Sequence, residues 1–385
     1  MKICLINNLY KPFNRGGAEK VTETIIQGLV KAGHEVFLIT AKPWNQLPIK
    51  NYELRIYRLN SLYYNLNSLP KFLRFFWQIW NMFNFVSYFK IKKNLRREKC
   101  DEVITNNLMG LGFLTPLAIR SLKIKHLHIA HDIQLIHPSG LMYYGEEGII
   151  DSFSAKIYSG ACRWLFSSPP IVIFPSRWLK DLYAKRNFFT HSKISVLPNP
   201  VEFAPKQVSK HPGNFKFLFL GQIEKHKGVF LLIDAFNKIK DKYPEVGLLL
   251  VGDGSQLEAA RKKAAGNNKI KFLGWPGDEE ADKLLSAADC LVYPSLVYEN
   301  CPNSIQRALV AGLPVLASDL GGIPELLNQN AGILFKPSDV ADLAEKIAWV
   351  VENKNSLGDL AHAGRLKASV LKVEDYIKEL ESLIK

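Results

Sequence analysis

Val297-Tyr298-Glu299-Asn300-Cys301-Pro302-Asn303-Ser304-Ile305-Gln306-Arg307-Ala308-Leu309-Val310-Ala311-Gly312-Leu313-Pro314-Val315 reads as strand end, loop, helix, glycine stop and strand. Asn303 or Ser304 is placed to cap the helix, Gly312 to end it in a left-handed turn, and residues 315–317 to resume a sheet. A helix that begins beside a cleft offers backbone N–H groups and a partial positive charge, which together suit a diphosphate. Glu299, just ahead of it, is a carboxylate able to accept hydrogen bonds from sugar hydroxyls.

The same grammar of short apolar run, turn and amphipathic helix recurs outward in both directions. Near the start, residues 2–6 form a strand, a glycine turn follows, and Val21, Ile25, Ile26, Leu29 and Val30 make one apolar helix stripe. Gly33 stops that helix and residues 36–40 make the next strand. Later, residues 215–220 form a strand, followed by a polar turn and a helix carrying Val229, Leu232, Ile233, Phe236 and Ile239; a further strand over 246–251 ends at Gly252-Asp253-Gly254. This alternation predicts α/β architecture with two Rossmann-like doubly wound domains. Pro198-Asn199-Pro200 and the polar residues 206–213 place the boundary near residue 205, giving domains over 1–204 and 205–372. Residues 373–385 read as a terminal helix with Tyr376, Ile377, Leu380 and Leu383 on one side. Two such sheets are expected to face each other across a cleft lined by their carboxyl-end loops, where doubly wound folds take ligands.

Composition narrows the function classes. The chain has 385 residues, 47% hydrophobic and 22% charged, enough for two ordinary cores. Cys4, Cys100, Cys162, Cys290 and Cys301 are scattered, without metal-ligand spacing or a redox CxxC, which fits a reducing, cytoplasmic setting. The opening apolar run is too brief for a secretory signal, and no segment reads as an ordinary membrane span. Net charge is +14, and it sits in one half: residues 1–200 hold 27 Lys+Arg against 12 Asp+Glu, the remainder 23 against 24. An anionic partner is implied for the first half, but no nucleic-acid reading motif accompanies the charge, so nucleic acid is not expected. Residues 71–93 crowd eleven apolar side chains onto one helix with a narrow polar stripe, and Lys90, Lys92, Lys93, Arg96 and Arg97 follow. Two readings are open: a helix buried in the first domain with a solvated charged tail, or a peripheral contact of residues 71–97 with anionic membrane.

The stretch around Glu299 resembles the signature of the family 4 retaining glycosyltransferases, which have the GT-B fold: a Glu, seven residues, a second Glu, and a small-residue helix ending in Gly-x-Pro-Val. The resemblance extends in order along nearly the whole chain and implies a nucleotide-sugar donor, no catalytic metal, and a glycan or polyprenyl-diphosphate-linked acceptor in cell-surface polysaccharide synthesis. It implies that Glu299 sits at the donor sugar and that the backbone of Asn300, Cys301, Pro302, Asn303 and Ser304 reaches sugar and phosphates. Gly221-Gln222-Ile223-Glu224-Lys225-His226-Lys227-Gly228 resembles the family's Gly-Arg-x-x-x-x-Lys-Gly phosphate loop, which puts Lys227 on the diphosphate and Gln222 in the place of an Arg. By the same resemblance Gly16 and Gly17, within Asn14–Glu19, frame donor and acceptor; His131 and Asp132 stand beside the sugar and acceptor; and Gly274 lies on the base side. The terminal helix is expected to cross back onto the first domain.

One position departs. Arg307 stands where the family has the second Glu, which grips the donor ribose; a guanidinium only donates hydrogen bonds, so the pairing polarity is reversed. Two readings of the function follow: a transferase in which Lys227, Glu299 and His131 carry the chemistry by front-face displacement, or an impaired nucleotide-sugar-binding protein of the same fold.

Overall fold

The computed structural model describes residues 1–13, 16–44, 54–68, 70–202 and 214–384. They divide into two compact units, one of Met1–Leu141, Gly148–Pro200 and Val373–Lys385, the other of Met142–Glu147 and Val201–Lys372. The expected boundary at residue 205 lies outside the described residues. Residues 142–147, placed by the sequence in the first domain, group with the second unit.

In the first unit, β1 (Lys2–Ile6), β2 (Glu35–Pro43), β3 (Arg55–Ser61), β4 (Glu102–Thr105), β5 (Lys125–Ile129), β6 (Ile171–Phe174) and β7 (Lys193–Val196) form one parallel sheet in the order β3-β2-β1-β4-β5-β6-β7. Its helices are α1 (Gly17–Lys31), α2 (Lys71–Met82), α3 (Phe85–Glu98), α4 (Thr115–Ser121), α5 (Phe153–Leu165) and α6 (Arg177–Ala184). Ile3, Leu5, Leu38, Ile104, Leu127 and Ile173 are fully buried, as expected for parallel strands covered on both faces.

In the second unit, β8 (Lys216–Leu220), β9 (Gly247–Val251), β10 (Ile270–Gly274), β11 (Cys290–Tyr293), β12 (Val315–Ser318) and β13 (Ile333–Phe335) pair in parallel as β10-β9-β8-β11-β12-β13. The helices are α7 (Val229–Ile239), α8 (Leu257–Lys263), α9 (Asp278–Ala287), α10 (Asn303–Ala311), α11 (Ile323–Leu327), α12 (Val340–Glu352) and α13 (Leu357–Ala368). The stripe read on α7 is buried throughout, in one core with Phe217, Phe219 and Leu250.

The last helix, α14 (Val373–Ile384), belongs to the first unit, where Tyr376, Ile377, Leu380 and Leu383 pack into the cluster formed by Val21, Ile25 and Leu29 of α1. Each such side chain taken fully from water contributes about 1.5–3 kcal/mol. Val30, read into the same stripe, is instead half exposed, one turn position too far round.

The segment expected as a single helix over 71–93 is two. Asn84 interrupts it, and its side chain accepts from the Ser87 backbone N–H at 2.9 Å, capping α3. The buried reading of this segment does not hold. Trp77, Met82, Ile91 and Leu95 are buried, but Phe72, Phe76, Ile79, Trp80, Phe83, Phe85, Val86 and Phe89 face outward.

Candidate functional site

In each sheet the chain winds outward in both directions from a central pair of strands, so the loops leaving that pair at the carboxyl edge diverge and open a crevice. In the second unit the pair is β8 and β11, with Phe217 beside Cys290 and Leu218 beside Leu291. The loop after β8 carries Lys227 and the loop after β11 carries Glu299. Strand pairing therefore brings together two residues 72 positions apart.

A short 3-10 turn over Lys225–Lys227 sets the lysine, and Gly228 follows at φ 76°. A Cβ on Gly228 would lie 1.7 Å from the Pro294 carbonyl oxygen, so only glycine lets the two loops pack this closely. Lys227 Nζ donates to Glu299 Oε1 at 2.7 Å and reaches the Tyr293 hydroxyl at 3.5 Å. Ser295 Oγ lies 3.3 Å from the same Oε1. Burial works against the Lys227 charge, but the adjacent Glu299 carboxylate outweighs it and holds the ammonium above the usual lysine range. Burial likewise pushes Glu299 up, and Lys227 outweighs it, so the carboxyl stays below its ordinary value. Both groups are charged at neutral pH.

The backbone of Glu299 is fixed separately. Its carbonyl accepts from the Gly322 N–H at 2.8 Å, and a Cβ on Gly321 would stand 2.2 Å from that oxygen. Residues 142–144 add one antiparallel bridge to the approach: Tyr144 N–H donates to Leu296 at 3.0 Å and Tyr298 N–H to Met142 at 2.9 Å. The Tyr298 hydroxyl then bonds Glu147 Oε1 at 2.7 Å.

Neither Asn303 nor Ser304 caps α10. The capping position is Pro302, which makes no side-chain cap bond, because the chain turns into the helix one residue earlier than the polar pair suggests. Asn300 and Cys301 are buried beneath this turn, and Asn303 and Ser304 are half-buried within it. Gly312 closes the helix at φ 68°. Gln222 stands exposed after β8. Gly274 ends β10 and its carbonyl accepts from Gly252 N–H at 2.8 Å.

Arg307 is committed to a neighbour. Its Nε donates to Asp282 Oδ1 at 3.1 Å, Nη2 pairs with the same oxygen, and Nη2 lies 3.4 Å from the Asp278 carbonyl. The guanidinium thus ties α10 to α9.

The remaining predicted residues lie in the first unit. Gly16 precedes α1 and donates its N–H to Glu19 Oε2 at 2.7 Å; Gly17 opens the helix. His131 and Asp132 follow β5 and line a cavity of about 20 Å³, room for one water, with Asn106, Asn107, His128 and Gln134. Asp132 accepts from Asn107 Nδ2 at 3.1 Å and from the Gln134 N–H at 2.8 Å. Burial lowers His131 to about 4 and raises Asp132 to about 6. At neutral pH His131 is therefore an uncharged imidazole. Among the described residues, no group of three or more His, Cys, Asp or Glu side chains is placed to hold a metal ion.

Two family models match consecutive stretches of the chain: Glycosyltransferase Family 4 over residues 15–204 and Glycosyl transferases group 1 over residues 200–367. The chain belongs to glycosyltransferase family 4. Among relatives of this family 4 chain, an uncharacterized 42.6 kDa protein in the cps region of Klebsiella pneumoniae is 24% identical, covering 97% of this chain and 99% of its own. Sucrose-phosphate synthase from Thermosynechococcus elongatus superposes with a TM-score of 0.76 at 20% identity, over 99% of this chain and 98% of its own. HepE from Anabaena, in complex with UDP-glucose, gives 0.74 at 20% identity over the whole of both chains. These likenesses establish the GT-B fold.

Sequence reading of the family 4 site missed Tyr293, Ser295, Tyr298 with Glu147, and Asp282. Tyr293-Pro294-Ser295 at a strand end was a usable signal, since polar groups at a carboxyl edge face the crevice. Asp282 gave none, as nothing local links it to Arg307.

Proposed function

We propose that this family 4 protein transfers a sugar from a nucleotide-sugar donor to a glycan or polyprenyl-diphosphate-linked glycan, with retention of configuration and without a catalytic metal, in cell-surface polysaccharide synthesis. The observation that carries the reading is the Lys227–Glu299 pair at the carboxyl edge of β8 and β11, beside the amino end of α10. The UDP-glucose held by HepE supports a nucleotide-sugar donor, and the cps location of the Klebsiella relative supports a polysaccharide product.

In this mechanism the bond between the anomeric carbon and the phosphate oxygen breaks as the acceptor oxygen bonds the same face of the sugar. The acceptor's proton passes to the departing phosphate oxygen. Lys227 stays charged throughout and, with the first-turn amides of α10, offsets the negative charge growing on the diphosphate. Glu299 gives up part of its bond to Lys227 to receive sugar hydroxyls. Gln222 adds a neutral hydrogen bond to the phosphates, the backbone of Asn300 to Ser304 positions sugar and phosphates, and Gly274 serves the base side. Gly16, Gly17 and Asp132 serve the acceptor side, with neutral His131 at the sugar.

Arg307 favours a second reading, a nucleotide-sugar-binding protein of low turnover, because its guanidinium is already engaged by Asp282. The deciding measurement is donor turnover with UDP-, GDP- and ADP-sugars, alongside a thermal-shift panel of the same compounds. Turnover of one donor, with inverted anomeric configuration absent from the product, establishes the transferase. Stabilisation by a donor with no turnover in the presence of membrane extracts establishes the binding protein.

A further inference from the structure

The helix pair α2 and α3 buries Trp77, Met82, Ile91 and Leu95 on one side and still leaves a run of large apolar side chains exposed on the other. On α2 the polar Asn81 is only 1% exposed, its Oδ1 accepting from Gly110 N–H at 2.7 Å, while Phe72, Phe76 and Trp80 are 64%, 63% and 57% exposed. Positions 72, 76, 79, 80 and 83 recur at three- and four-residue spacing, so one continuous stripe faces outward.

The stripe continues onto α3 and changes character. Phe85, Val86 and Phe89 are exposed at its amino end; Lys90, Lys93, Arg96 and Arg97 are exposed along the rest. From residue 71 to 97 there is no acidic side chain, against seven basic ones. The first acidic group beyond, Glu98, is buried and bound to Arg55, Tyr57 and Lys2. Among the described residues, Lys90, Lys93, Arg96 and Arg97 make no ion pair with an acidic side chain.

We infer that α2 and α3 dock on an anionic lipid surface, with the aromatic stripe in the acyl boundary and Lys90, Lys93, Arg96 and Arg97 on the headgroups. Charge complementarity selects this occupant. A second copy of the chain would bring the same uncompensated basic residues against themselves, whereas a leaflet of acidic headgroups neutralises them. Aromatic side chains suit the depth at which apolar and polar layers meet. Among the described residues no helix is long and apolar enough to cross a membrane, so the contact is peripheral. The inference rests on this surface alone and is independent of the transfer chemistry.

Flotation of the full chain tests it, using phosphatidylcholine vesicles with and without about one-third phosphatidylglycerol. The protein is expected to float with the anionic vesicles and about tenfold less with neutral ones. Trp80→Ser with Phe89→Ser should cut flotation on both by about tenfold while changing the melting temperature little, because more than half of each side chain is exposed. Lys93→Glu with Arg97→Glu should remove the preference for anionic vesicles. Absence of flotation, equal flotation of the serine variant, or a sedimenting dimer that Trp80→Ser dissolves would each overturn the inference.

Discussion

Arg307 on α10 and Asp282 on α9 form an ion pair, with Arg307 Nε 3.1 Å from Asp282 Oδ1. The pair explains how a cation is accommodated where the family carries a carboxylate. It also changes what a reverting substitution would do. Arg307→Glu alone would set a carboxylate against Asp282, costing about 1–3 kcal/mol of stability through like-charge repulsion. Arg307→Glu combined with Asp282→Asn removes that repulsion. We expect the double variant, and not the single one, to bind donor more tightly, by about 2–4 kcal/mol if a ribose diol gains a charge-assisted pair. Titration calorimetry with the preferred nucleotide sugar checks this; equal affinity in all three proteins would remove Arg307 from the donor site.

Lys227→Ala should lower turnover by about a hundredfold to a thousandfold, the scale expected for one preorganised charge at a leaving group. Glu299 would be left partly buried without its ammonium, so stability should fall as well. Lys227→Met paired with Glu299→Gln separates the effects: stability should recover, activity should not. Steady-state rates and thermal melts on the parent and the two variants suffice, and full activity in Lys227→Ala would refute the assignment.

Gly228→Ala should behave as a structural lesion of the same site. Its Cβ would collide with the Pro294 backbone, and its left-handed φ adds strain on top. A loss of about 2–4 kcal/mol is expected, with lysine and carboxylate loops forced apart. Denaturant unfolding measures the first effect and donor affinity the second.

Glu102 on β4 supplies a pH prediction. It is 1% exposed, and its Oε2 makes no hydrogen bond among the described residues. Burial raises its pKa to about 7, with Lys125 opposing only in part. A carboxyl whose folded value exceeds its unfolded one, about 4.3, favours folding fully below that unfolded value. The contribution is then lost as pH rises toward 7. Glu102→Gln stays neutral throughout, so it should be more stable than the parent by about 2–4 kcal/mol at about pH 8 and roughly equal at about pH 4. A parent-to-variant difference that does not change with pH would contradict this account.

The alternation of strands and helices, the loop and helix after Glu299, the stop at Gly312 and the turn holding Lys227 were all legible in the amino-acid sequence. Each is written in local spacings: periods of two or of three to four residues, and glycines at left-handed positions. The start of α10 directly after Pro302 and the break at Asn84 were read less well, because both depend on which neighbouring group satisfies the backbone. Only the tertiary structure decided that Lys227 meets Glu299, that Asp282 engages Arg307, and that Asn81 points inward while Trp80 points out. Those outcomes follow from strand order and from which faces the two sheets bury. A buried polar group is placed by the partner it finds across the fold, and local sequence does not record that partner.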